Sequence, residues 1–177
     1  MAEYDKRIYI LRIWIGHWTK EERVKAFREA KEYFPRFPFY CEDVMHQLNI
    51  IRDLTDTTGI FLRPYSPKGK GERFKHLFQG HKYASKKAKI YDGLEGIIED
   101  QRLYVVKSTP YFDEFEDEFK NFPDGIKLDI IDAASMGSLI LDRKGRNTEV
   151  LDSEFVQRDS FLPSNMSIGS VFSLGKR

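Results

Sequence analysis

Asp129 and Asp132 sit three residues apart in the stretch Phe122-Pro-Asp-Gly-Ile-Lys-Leu-Asp-Ile-Ile-Asp-Ala-Ala-Ser-Met136. On a helix that spacing sends both carboxylates out of one face. Like charges so placed repel by about a few tenths of a kcal/mol in solvent, and by more when partly buried. Something cationic should therefore lie between them. A divalent ion such as Mg²⁺ or Mn²⁺, which takes hard oxygen ligands, is one answer, and a solvated polar stripe on a surface helix is the other. Taken alone, the pair favours the stripe. A third acid, Glu42, ends the short apolar run Phe39-Tyr-Cys-Glu42. In open α/β sheets ligands gather at the carboxyl ends of strands, which raises Glu42 above an ordinary surface acid and makes its neighbour Asp43 a weaker candidate.

The second group of chemistry-bearing residues is basic. Lys68-Gly-Lys-Gly-Glu-Arg73 is Gly-rich, and Lys75, His76, His81, Lys82, Lys86, Lys87 and Lys89 follow it. Such a run suits a phosphate backbone, and it equally suits a solvated loop. The Walker spacing of Gly, four residues, Gly, Lys and Ser or Thr is absent, so the loop is not read as a nucleotide cradle. His17, His46, His76 and His81 lack metal-ligand spacing.

These residues need elements to position them. Arg7–Ile15 is rich in β-branched and aromatic residues and predicts a strand. Thr19 and Glu22 form a capping box ahead of a helix over 20–34, which Pro35 and Pro38 end. Phe39–Glu42 and Gly59–Pro64 predict strands around a helix over 44–54. Ser85, as N-cap, begins a helix to Glu99, followed by a strand over 102–106. Phe112, Phe115, Phe119 and Phe122 recur at helical spacing and predict a buried stripe, with Asp113, Glu114, Glu116, Asp117 and Glu118 as the solvated face. Leu128, Ile131 and Leu139 mark the core side of the helix that carries the two aspartates. Alternating strands and helices signal an α/β layered fold with parallel pairing in part of the sheet.

With 177 residues, the chain has room for one domain with a sizeable core, assigned here to 1–142. Residues 143–177, rich in Ser, Gly, Asn and charge, read as a flexible tail. The 14 Phe, 9 Tyr and 2 Trp argue against disorder elsewhere. Lys and Arg (29) nearly cancel Asp and Glu (28), so any basic surface must be local. A single Cys41 excludes an internal disulfide and reads as a buried small hydrophobe. That, with no apolar leader and no membrane-length apolar window, predicts an intracellular protein.

The order of these features supports a comparison. A strand ending in Glu42, then Lys86-Lys-Ala-Lys-Ile90, Gln101-Arg-Leu-Tyr-Val105, Phe119-Lys-Asn-Phe-Pro-Asp-Gly125 and Leu128-Asp-Ile-Ile-Asp-Ala133, over residues 6–141, resembles the C-terminal nuclease domain of the large terminase subunit of tailed bacteriophages. The resemblance implies an RNase H-like mixed sheet flanked by helices, and a divalent-metal-dependent endonuclease that cleaves concatemeric DNA during genome packaging. It also implies Glu42, Asp129 and Asp132 as catalytic ligands of two Mg²⁺ or Mn²⁺ ions, with Lys68, Lys70, Arg73, Lys86 and Lys87 on the backbone of double-stranded DNA.

Departures from the family's pattern shape the expectation further. Leu128-Asp129 stands where the family has a double aspartate, and the opening hairpin with its metal-binding aspartate has no counterpart, so the sheet should lack its first strands. The ATPase domain is likewise absent from these residues. An active enzyme would then need an ATPase or N-terminal fragment on a separate chain, with portal and small terminase subunit as further partners. It would work in the host cytoplasm, beside the procapsid. The alternative is a catalytically incomplete RNase H-like module that binds DNA or a packaging partner.

Overall fold

The computed structural model describes residues 1–43, 45–66, 69–147 and 171–173. It is a mixed α/β structure. The chain divides into two compact units, one of Gly16–Lys68 and one of Met1–Ile15 with Gly69–Arg177, where the sequence suggested one domain followed by a tail.

The smaller unit is a helix followed by a β-α-β turn of chain. Helix α1, Lys20–Tyr33, begins on the expected capping box: Thr19 N–H donates to Glu22 Oε2 at 2.8 Å, and Glu22 N–H to Thr19 Oγ1 at 3.3 Å. Strand β3, Phe39–Glu42, runs parallel to β4, Leu62–Tyr65, with α2, Met45–Thr58, between them. Val24, Leu54, Ile60 and Leu62 form the core of this unit.

The larger unit holds a four-stranded sheet in the order β1 (Ala2–Tyr4), β2 (Arg7–Ile10), β5 (Leu103–Val106), β6 (Val171–Ser173). Strand β1, Ala2–Tyr4, returns as β2, Arg7–Ile10, through a two-residue turn in which Asp5 and Lys6 both take positive φ, at 49° and 58°. Paired left-handed residues give a turn whose twist matches that of the strands it joins. Strand β5, Leu103–Val106, lies parallel to β2, and β6, Val171–Ser173, antiparallel to β5.

This pairing changes the expected sheet. The RNase H-like expectation is a single mixed sheet that lacks its first strands. Instead β2 is flanked on both sides, by β1 and β5, so its backbone groups find partners within its own unit, and β3 pairs with β4. The strand stops at Ile10; beyond it Ile13 is buried and donates its N–H to Thr109 Oγ1 at 3.0 Å.

Helices α3, Ala84–Glu99, α4, Phe112–Lys120, and α5, Asp129–Asn147, complete the unit, with a 3₁₀ helix over Glu72–Phe78. One face of the sheet, through Ile8, Ile10, Leu103 and Val105, packs with Ile90 and Leu94 of α3, Phe115 of α4 and Ile131 and Ala134 of α5. The phenylalanine stripe is core, as its spacing predicts: Phe115 is fully buried, and Phe112, Phe119 and Phe122 pack against the same cluster. Ser85 is not the cap of α3; Tyr83 holds that place in the left-handed conformation without a side-chain capping bond. Of the segment read as a flexible tail, 143–147 continue α5 and Val171–Ser173 form β6; the rest of that expectation, over 148–170 and 174–177, lies outside the described residues.

Candidate functional site

The two aspartates lie in the first turn of α5, beside the first turns of α3. Contacts that advance together along both helices, Lys86 with Asp129, Lys89 with Asp132 and Gly93 with Ser135 and Ser138, show that the helices run parallel. Gly93 is what lets them close. A Cβ there would stand 2.8 Å from the Ser135 carbonyl oxygen, and Ser138 Oγ donates to the Gly93 carbonyl in the space left free. Ser135 Oγ donates to the Lys89 carbonyl at 3.1 Å, so small hydroxyl residues tie the seam.

The cation that the paired carboxylates require is supplied by the chain itself. Lys86 Nζ lies 2.6 Å from Asp129 Oδ1 and 3.7 Å from Asp132 Oδ2, and Lys89 Nζ lies 2.8 Å from Asp132 Oδ1. Two lysines at a three-residue spacing on α3 meet two aspartates at the same spacing on α5. The arrangement also balances the helix dipoles. Lysines near a helix N-terminus are disfavoured and aspartates favoured, so the α5 carboxylates offset the misplaced α3 charges. The two acids differ in setting: the Asp129 side chain is 80% exposed, that of Asp132 only 19%.

As a test of metal fit, this donor set is already neutralised one carboxylate to one ammonium, so an ion could enter only by displacing the lysines. The residues as arranged do not fit a two-metal centre. Among the described residues no group of three or more His, Cys, Asp or Glu side chains is placed to hold a metal ion. Glu42 ends β3 of the smaller unit, half-buried, and Asp43 N–H donates to the Tyr65 carbonyl at 2.8 Å.

The basic residues meet different fates. Lys68 lies outside the described residues. Lys70 is half-buried. Arg73 is held by Asp92 of α3, with Nε 3.0 Å and a terminal nitrogen 2.8 Å from Oδ1, while Asp92 Oδ2 accepts the Gly71 N–H at 2.9 Å. Gly71, at φ 77°, packs so closely that a Cβ would stand 2.9 Å from the Ala88 carbonyl oxygen. The Gly-rich loop is thus clamped onto α3 through one carboxylate and its own backbone. Lys86 belongs to the acid–lysine cluster, and Lys87 is 5% exposed with Nζ 3.3 Å from His81 Nδ1. His81 Nδ1 is in turn 3.6 Å from Asp124 Oδ1.

One acid escaped the sequence reading. Glu118, assigned there to the solvated face of α4, is 5% exposed, and its Oε2 accepts the N–H groups of Ile130 at 2.8 Å and Ile131 at 3.1 Å. A carboxylate from the preceding helix therefore satisfies amides in the first turn of α5, where orphan donors and the positive end of the dipole both favour an anion. The signal was present: Glu118 falls three residues after Phe115 and one before Phe119, on the apolar stripe.

No protein-family model, curated protein or solved structure matches the chain. No helix among the described residues is long and apolar enough to cross a membrane.

Proposed function

We propose that the chain is a DNA-binding module built on an RNase H-like plan and catalytically incomplete, allied to the terminase nuclease domains it resembles. The observation that carries this reading is the pairing of Asp129 and Asp132 with Lys86 and Lys89, which spends the acid pair on joining α3 to α5. Duplex DNA would meet the cations at the clamped loop, where the Arg73 side chain is largely exposed. The test combines gel retardation of a duplex with plasmid nicking in Mn²⁺ or Mg²⁺. The expected result is salt-sensitive retardation without nicking, with Asp129→Asn and Asp132→Asn leaving retardation intact. Nicking that either variant abolishes would overturn it.

One observation favours a second reading, the metal-dependent terminase endonuclease itself. The Asp129 carboxylate is mostly exposed, so its ion pair with Lys86 is worth little and exchanges readily. In that reading Asp129 and Asp132 give up Lys86 and Lys89 and hold Mg²⁺ or Mn²⁺ together with carboxylates from a separately encoded ATPase-bearing chain. Nicking that appears only when that chain is added would support it.

A further inference from the structure

We infer that the sheet of the larger unit binds single-stranded nucleic acid on the face turned away from its helices. Side chains alternate along a strand, and Ile8, Ile10, Leu103 and Val105 point into the core. Tyr4, Arg7, Tyr9 and Tyr104 therefore share the opposite face, with Tyr4 beside Arg7 and Tyr9 beside Tyr104 in the registers of β1, β2 and β5. The rings of Tyr9 and Tyr104 stack with centroids 5.4 Å apart and planes 26° from parallel. The Arg7 guanidinium carbon lies 5.7 Å from the centre of the Tyr104 ring, and the Tyr4 side of the patch is open, that residue being 59% exposed.

Three aromatic rings and one guanidinium, which hydrogen-bonds Tyr9 and has the Asp5 carboxylate at its edge, match a particular ligand chemistry. Flat bases stack on tyrosine faces, and the phosphates between them answer the cation. A duplex keeps its bases inside the stack and cannot offer them to such a surface, so the occupant is a single strand. A second copy of this chain would bring a second Arg7 against the first, which disfavours self-pairing through the same patch. The site shares no residue with the acid–lysine cluster, and it stands or falls apart from the function proposed above.

The test is fluorescence anisotropy of the full chain with end-labelled oligothymidylate, oligouridylate of equal length, and a duplex of that length at low salt. Both single strands, or one of them, should bind, and a preference between them assigns the source as DNA or RNA, while the duplex reports on the clamped loop. Tyr9→Leu and Tyr104→Leu should each weaken single-strand binding about tenfold, while the Phe variants retain it, because the ring and not the hydroxyl does the stacking. Tyr4→Leu, at an exposed position that cannot upset the core, should weaken it several-fold, and Arg7→Gln should also flatten the salt dependence. Duplex binding that the variants leave unchanged belongs to the clamped loop and not to this face. Single-strand binding indifferent to these variants, or no single-strand binding, would overturn the proposal. So would self-association of the chain that Tyr104→Leu abolishes.

Discussion

Lys89 Nζ stands 2.8 Å from Asp132 Oδ1 across the seam of two parallel helices, with both side chains largely withdrawn from solvent. One turn nearer the helix N-termini, Lys86 and Asp129 repeat the pairing in the open. An ion pair is worth little in high dielectric and more when partly buried, where losing one partner leaves a charge without its counter-ion. Asp132→Asn should therefore lower unfolding free energy by about 1–3 kcal/mol, and Asp129→Asn by under about 1 kcal/mol. Urea denaturation of the two variants measures the contrast. Equal costs would mean that burial does not distinguish the pairs.

Glu118 places its carboxylate on the amides of Ile130 and Ile131. Hydrogen bonds to a charged group contribute about 1.5–3 kcal/mol each, more than neutral ones. Glu118→Gln, which keeps an acceptor and loses the charge, should cost about 1–2 kcal/mol, and Glu118→Ala about 3 kcal/mol or more through the orphaned donors. Hydrogen exchange at Ile130 and Ile131 should accelerate in step, and an unchanged rate there would refute the capping role.

Burial around Cys41 pushes its thiol up from the ordinary 9.0, the Glu42 charge adds to that shift, and a backbone hydrogen bond from Glu42 opposes it. The thiolate is the reactive form, so alkylation at pH 8 should run slower in the folded chain than in urea. Glu42→Gln removes the repelling charge and should speed the native rate a few-fold without changing the rate in urea. The unfolded chain loses this proton first, so the thiol's contribution to stability is intact below pH 9.0 and declines as pH rises beyond it.

Local patterns carried the sequence reading where neighbours along the chain decide the outcome. Thr19 with Glu22, the phenylalanine stripe and the apolar strand Phe39–Glu42 are signals of that kind, and each has its element. The hairpin of β1 and β2 escaped because Asp5-Lys6 carries neither the Gly nor the Asn that announces such turns. The division into two units was hidden for a different reason: strand neighbours are chosen by long-range pairing, and nothing in Arg7–Ile10 says that Leu103–Val105 lie beside it. At the site, the need for a cation between Asp129 and Asp132 was legible, and its identity was not. Lys86 and Lys89 share the three-residue spacing of the aspartates, yet only the parallel packing of α3 on α5 brings the two pairs into register.

Calorimetric titration of the full chain with Mn²⁺ tests most directly whether these lysines, and not a metal, balance the acid pair. Heats of dilution alone, the same for the native chain and for Asp129→Asn and Asp132→Asn, are the predicted result. A saturable site in the native chain that Asp132→Asn abolishes would contradict it.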